Sequence, residues 1–270
     1  MKAKRKELGK VTAIFIAYRA ASTLEKFYHD FPKHLVDDII LVDDASPDDT
    51  FAIAQRLGIK SYKNAINLGY GGNLKKALGL ALEQGAEVII DLHPDGEYSP
   101  SAIAPALEEI KAGAKLVLGN RYFDGNTPLD KGMFVWKYLP LIGLNIVPKL
   151  VIKNKISDFH QGFRVYTRTL LESVNFQSNS NDFLFSFEII AQADYHNFRI
   201  AEVPVETSYA GKKRGCSFKD CVIYTPGVFK VLGLYLAGKA GVRSTLFEKF
   251  ENSGKFEEFE KSEKPEIQER

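Results

Sequence analysis

Five short strand-like runs, four of them apolar, alternate with four helical stretches over the first 120 residues, and few architectures accommodate that rhythm. Residues 11–17, 38–43, 60–62, 87–91 and 115–119 read as strands, and 22–29, 48–57, 71–84 and 99–112 between them read as helices. The first helix carries Ser22 with Glu25 three residues on, the spacing of a capping box. Such alternation predicts an α/β fold, a mostly parallel central sheet with helices on both faces and its ligands at the carboxyl ends of the strands. The unusual polar residues are therefore expected along one rim.

After residue 119 the alternation breaks. Residues 133–152 form an apolar stretch in which Pro140 and Pro148 are expected to kink or interrupt a helix. Residues 164–166 and 199–203 read as later strands around a helix at 184–195, followed by a basic loop at 212–219. Residues 222–242 are apolar with Lys230 and Lys239 interspersed and read as an amphipathic helix, and 248–270 is a Glu- and Lys-rich tail. The predicted organisation is a catalytic domain over 1–215, an amphipathic segment over 216–247 packed on the domain or a membrane surface, and a charged tail over 248–270. That tail is either solvated or the means by which a homo-oligomer pairs.

With 45% hydrophobic residues in 270, the chain can bury a sizeable core. A formal net charge of +2 is too small a surplus for general nucleic-acid binding. Cys216 and Cys221 stand without a second ligand pair and read as free thiols of a reducing compartment. Residues 1–10 do not read as a signal peptide, and no apolar run reaches the length of a bilayer span. A cytoplasmic protein, peripheral on the cytoplasmic membrane face, is the expectation.

The run Leu92-His93-Pro94-Asp95-Gly96-Glu97 follows the fourth strand. Asp95 and Glu97 offer hard oxygen and His93 an imidazole, a set suited to a divalent cation that holds phosphates. Asp43 and Asp44 end the second strand, where a carboxylate can accept hydrogen bonds from a nucleobase or ribose. Asp48 and Asp49 are explained by the dipole of the helix they precede. The stretch Asn67-Leu68-Gly69-Tyr70-Gly71-Gly72 permits close backbone approach to a ligand, but it follows the third strand and lacks G-x-G-x-x-G, which disfavours hydride transfer.

Ala17-Tyr18, Val42-Asp43-Asp44-Ala45-Ser46, Asn67 to Gly72, Asp95 to Pro100, Gly119-Asn120-Arg121-Tyr122 and Gly162-Phe163-Arg164-Val165-Tyr166 occur in that order. The series resembles family 2 glycosyltransferases of the GT-A fold, in the branch of dolichol-phosphate mannosyltransferases and bacterial polyprenyl-phosphate sugar transferases, over residues 11–242. The resemblance implies a nucleotide-diphosphate-sugar donor, inverting transfer and a divalent cation, Mg²⁺ or Mn²⁺.

The family's Asp-x-Asp-x-Gln falls on residues 93–97, so Asp95 inherits the metal role, with His93 in place of the first Asp and Glu97 in place of Gln. Ala17, Tyr18, Asp43, Asp44, Gly72 and Lys75 are the implied nucleotide contacts. Arg214 and Ser217 lie in the basic segment implied to close over the donor. Arg121 and Arg164 resemble arginines that hold phosphate, the oxygen pair that a guanidinium grips in bidentate fashion. A lipid-phosphate acceptor is already an anion and needs no strong base; a hydroxyl acceptor would need one, for which Asp158 and Asp182 are candidates. Glu188 reads rather as structural.

Two apolar segments, 135–152 and 222–242, have basic flanks that suit a membrane interface. The leading expectation is thus a sugar transferase acting on a polyprenyl phosphate or a cell-envelope glycan precursor. The rivals are a nucleotide-sugar-binding scaffold and a sugar-nucleotide nucleotidyltransferase, the latter disfavoured because Tyr18-Arg19-Ala20-Ala21 is not a Gly-rich loop.

Overall fold

The computed structural model describes residues 6–123, 127–209 and 218–249. The predicted strands assemble as one sheet: β1 (Val11–Ala17), β2 (Asp38–Asp43), β3 (Lys60–Lys63), β4 (Val88–Asp91), β5 (Leu116–Asn120), β6 (Arg164–Thr167) and β7 (Ile200–Pro204), in the order β3-β2-β1-β4-β6-β5-β7. β6 alone of the seven runs against its neighbours, pairing antiparallel with both β4 and β5. Chain order reverses between β1 and β4, which places a ligand crevice outside their carboxyl ends.

All seven residues of β1 are buried, because helices cover both faces of the sheet. On one face Ala13, Phe15, Leu41, Ile90, Val117 and Val165 meet α1 (Leu24–Asp30), α2 (Thr50–Arg56) and α4 (Ile103–Lys111). Phe15 there makes edge contacts with Phe27 and Phe31, each with ring centroids 5.0 Å apart. On the other face Ile14, Ile16, Ile89, Leu118 and Tyr166 meet α3 (Gly69–Glu83), α6 (Arg168–Ser173), α7 (Phe185–Tyr195) and α8 (Phe218–Lys239). α5 (Val135–Val151) adds Leu144 to that second core. Each large apolar side chain so enclosed contributes about 1.5–3 kcal/mol by leaving water.

Three local expectations change. The first helix begins at Leu24 with Thr23 as its N-cap and no side-chain cap bond, so Ser22 and Glu25 form no capping box there; Thr23 Oγ1 instead donates to the Ala20 carbonyl. α5 continues through Pro140 and Pro148 without interruption. The C-terminal helix starts at Phe218, before the expected residue 222. Val228, Val231, Leu232 and Tyr235 form its inner stripe, and the Tyr235 hydroxyl donates to Asp194 of α7 at 2.6 Å. Its other side exposes Ile223, Phe229 and Leu236, as α5 exposes Ile142, Ile146 and Leu150. No helix among the described residues is long and apolar enough to cross a membrane.

Candidate active site

One end of the rim is built where β1 and β2 finish side by side, with Ala17 paired to Asp43. The chain leaves both strands through left-handed non-glycine residues, Arg19 at φ 54° and Ala45 at φ 56°. Such conformations cost roughly 1–3 kcal/mol each and persist where surrounding bonds enforce them. Here Arg19 N–H donates to Ser46 Oγ at 2.8 Å and Asp44 N–H to the Ala17 carbonyl at 2.8 Å.

Asp43 is fully buried, with Oδ2 accepting Ser46 N–H at 3.3 Å and Oδ1 without a hydrogen-bond partner among the described residues. Burial pushes its carboxyl upward, against the pull of Ser46 and Lys63. Tyr18 stands half-exposed beside it. The strand end thus holds one buried acceptor with unused capacity close in sequence to an open aromatic ring.

Asp44 has other work. Its carboxylate accepts the N–H groups of Leu68 (2.8 Å) and Gly69 (3.0 Å) and the Asn64 amide (2.8 Å), which holds the start of α3. The glycines that follow are needed for protein, not ligand: a Cβ at Gly71 would collide with the Ser180 carbonyl and lie 2.8 Å from that of Asp182. The N–H groups of Gly71 and Gly72 both point to the Asn181 carbonyl, so Gly72 has no main-chain donor to spare. Lys75 donates to the carbonyls of Gln177 (3.2 Å) and Asn179 (2.7 Å), pinning the same 177–182 segment. Asp182 accepts Leu184 N–H at 2.8 Å in the turn before α7, and Glu188 accepts from Ser180 twice, at 2.6 and 2.8 Å.

The acidic loop leaves β4 through Asp91, which the sequence reading passed over. Asp95 Oδ1 accepts Glu97 N–H at 2.8 Å across a turn that Gly96 makes at φ 76°. Burial and the Asp95 carboxylate together push Glu97 upward, which marks a place that favours an added positive charge. The His93 ring turns inward, with Nε2 3.4 Å from Asp91 Oδ1 and its edge on the Tyr70 ring. Burial alone would push His93 down, but Asp91 outweighs it and raises the value.

Among the described residues no group of three or more His, Cys, Asp and Glu side chains is set to enclose a metal ion. An open site of one or two carboxylates completed by substrate phosphates still fits Asp95 and Glu97, as is usual for Mg²⁺.

Arg121 and Asp158 form a buried bidentate pair, Nε to Oδ2 at 2.7 Å and Nη2 to Oδ1 at 2.9 Å. Arg121 Nη2 also reaches the His160 carbonyl (2.8 Å) and Nη1 the Tyr209 hydroxyl (3.2 Å). Despite its burial, Asp158 is held below the usual carboxylate range by Arg121, which makes it a poor proton acceptor. The Asp158 loop is itself hung on Glu202 of β7, which accepts the N–H groups of Ser157 and Asp158 at 2.9 Å each. Gly162 brings this loop against the acidic one, since a Cβ there would stand 2.8 Å from the Tyr98 ring.

Arg164 lies deeper than its phosphate-holding expectation requires. It is wholly buried opposite Asp91 in the β4–β6 register, and its Nη1 reaches the Tyr70 hydroxyl at 3.5 Å. Asp95, Glu97, Arg121 and Asp158 thus come together on the rim; Asp44, Lys75, Asp182 and Glu188 serve as braces behind it. Arg214 and Ser217 lie outside the described residues. Asp91, Glu202 and Gln161, whose buried amide has no partner among the described residues, were missed. An acid ending the apolar run Val88-Ile89-Ile90 was the one available signal.

A doubly covered sheet with a buried carboxylate at one strand end and an acid-arginine cluster at the next is the setting in which the comparisons with known proteins place a transferase. The chain belongs to glycosyl transferase family 2, whose sequence profile matches residues 12–174. It is 26% identical over 209 residues to the polyprenol monophosphomannose synthase of Mycolicibacterium smegmatis, covering 74% of this chain and 77% of the relative. It is 27% identical over 214 residues to the UDP-N-acetylglucosamine–dolichyl-phosphate N-acetylglucosaminyltransferase of Methanococcus voltae, covering 73% and 84%. The crystal structure of glucosyl-3-phosphoglycerate synthase from Mycobacterium tuberculosis with Mn²⁺, UDP-glucose and phosphoglyceric acid superposes with a TM-score of 0.62 at 17% identity, covering 89% of this chain and 83% of that one. The fold is accordingly GT-A, and the protein is a glycosyltransferase.

Proposed function

We propose that this glycosyltransferase moves a sugar, with inversion, from a nucleotide-diphosphate donor to a polyprenyl phosphate at a membrane surface. The observation that carries the acceptor class is the commitment of the buried acid expected to act as base: Asp158 is ion-paired to Arg121 and held below the usual carboxylate range. A carboxylate so held is a weak base, which suits an acceptor that is already an anion near neutral pH. The names of the mannose and N-acetylglucosamine transferases among its relatives support the same class.

In this reading Tyr18 and Asp43 hold the base, and Asp95 with Glu97 would hold a divalent cation. When bound, that cation, Mg²⁺ or Mn²⁺, neutralises charge on the leaving diphosphate. Arg121, fixed by Asp158, keeps a positive field on the same rim, where negative charge develops as the acceptor oxygen attacks the anomeric carbon. The exposed apolar stripes of α5 and α8 would lie on the bilayer. Residues 135–155 and 221–243 contain lysines and an arginine but no Asp or Glu, a composition that favours an anionic lipid surface.

The test is nucleotide release from UDP- and GDP-sugars with Mg²⁺ or Mn²⁺, with and without polyprenyl phosphate. Release stimulated by the lipid and abolished in Asp95→Ala is expected. Release indifferent to the lipid would refute the acceptor.

A further inference from the structure

Pro148 sits inside α5, and a proline has no N–H for the carbonyl four residues earlier. That carbonyl belongs to Leu144, and His160 Nε2 lies 3.1 Å from it. A carbonyl only accepts, so Nε2 carries the proton. In the neutral ring Nδ1 then accepts from the Tyr224 hydroxyl of α8 at 2.6 Å. Burial favours this neutral form, lowering the His160 value to about 4.

The next residue of α5 adds a second tether, because Asn145 Oδ1 accepts Phe159 N–H at 3.0 Å. The His160 main chain meanwhile faces the rim. Its N–H donates to Asp158 Oδ1 at 3.3 Å and its carbonyl accepts from Arg121 Nη2 at 2.8 Å. One residue therefore bonds to both outward-facing helices with its ring and to both members of the buried ion pair with its backbone.

We propose that His160 is a positioning residue of the transfer reaction, coupling the seating of α5 and α8 to the placement of the Arg121–Asp158 pair. The proposal rests on reading those helices as the acceptor side. A lipid surface that shifts either helix moves the ring, and the ring moves the arginine. Misplacement of a catalytic group by about 1 Å costs up to about a hundredfold in rate.

Four variants test it. Pro148→Ala returns an N–H to the Leu144 carbonyl, so α5 gains an internal bond that competes with His160 for the same oxygen. Tyr224→Phe removes the other bond, His160→Phe removes both, and His160→Gln keeps an amide that can donate to Leu144. For Pro148→Ala a melting temperature equal to or above wild type is expected, with kcat/KM for the acceptor about tenfold lower and the Kd for nucleotide unchanged. His160→Gln should recover part of the acceptor-side loss seen in His160→Phe. Acceptor kinetics within about twofold of wild type in Pro148→Ala and Tyr224→Phe, or donor binding that falls in step with acceptor use, overturns the proposal. Wild-type activity with polyprenyl phosphate reports on the acceptor itself. The ratio of variant to wild type, on whichever acceptor supports turnover, reports on His160.

Discussion

Asp91 and Arg164 are direct partners in the antiparallel pairing of β4 with β6, and both are wholly buried. Neither carboxylate oxygen of Asp91 has a hydrogen-bond partner among the described residues, and neither do Nε and Nη2 of Arg164. The two charges attract one another at this register, and Asp91 Oδ1 also lies 3.4 Å from His93 Nε2. Asp91→Asn leaves the guanidinium uncompensated and should cost about 3 kcal/mol or more, read from urea unfolding. The double replacement Asp91→Leu with Arg164→Met should recover most of that loss, since removing both charges leaves none stranded.

Asp43 and Asp44 are adjacent in sequence and opposite in the roles proposed for them. Asp43→Asn should weaken nucleotide binding about tenfold by calorimetry, because a charge-assisted hydrogen bond is worth roughly 1.5–3 kcal/mol, with little change in melting. Asp44→Ala should show the reverse. It strips the partner from the Leu68 and Gly69 N–H groups and should lower stability by about 1–2 kcal/mol.

Gly71→Ala probes how α3 sits on the 180–182 segment. The new Cβ would press on two backbone carbonyls and on the Phe185 Cβ at 2.9 Å, none of which can rotate away. A loss of about 1–3 kcal/mol is expected in thermal or urea unfolding. The neighbouring helix position Gly79, which has open space around it, should accept alanine with a gain of up to about 1 kcal/mol.

His160 makes acid stability predictable in sign. Its value falls from the ordinary 6.5 to about 4 on folding, so below pH 6.5 the unfolded chain takes up a proton that the native ring refuses. Its contribution is complete above 6.5 and fades as pH drops through 4, by roughly 3 kcal/mol in all. His93 works in the opposite direction: its raised value lends stability at low pH that is lost as pH rises through it. Stability profiles of His160→Phe and wild type, measured from pH 7 to pH 4, should therefore converge toward the acid end.

The sheet was legible where side chains alternate with helices, and β1 to β5 fall where the strand-like runs stand. Strand direction was not, because four residues such as Arg164–Thr167 carry no mark of which way they will pair. That reversal brings the first residue of β6, Arg164, to the end of the sheet where β4 finishes at Asp91, and its burial there is set by packing that no local pattern shows. The acidic loop was legible as a cluster, but the inward turn of His93 depends on Asp91, whose place at a strand end looked like mere termination. The glycines of residues 69–72 signalled a close approach. What approaches is a loop more than a hundred residues away, and no local pattern names it.

The reversed β6 also decides by which path residues reach the rim. The other strands deliver their side chains on the way out, through the loops that follow them. β6 delivers Asp158, His160 and Gly162 on the way in, from the segment that precedes it, and its following helix α6 departs from the far edge. On the proposed reading, the base-holding groups at 17–44 and the groups at 158–162 that meet the acceptor-side helices are therefore carried by stretches of chain that share a rim but not a connection. Such an arrangement lets a lineage exchange what receives the sugar while leaving intact what supplies it.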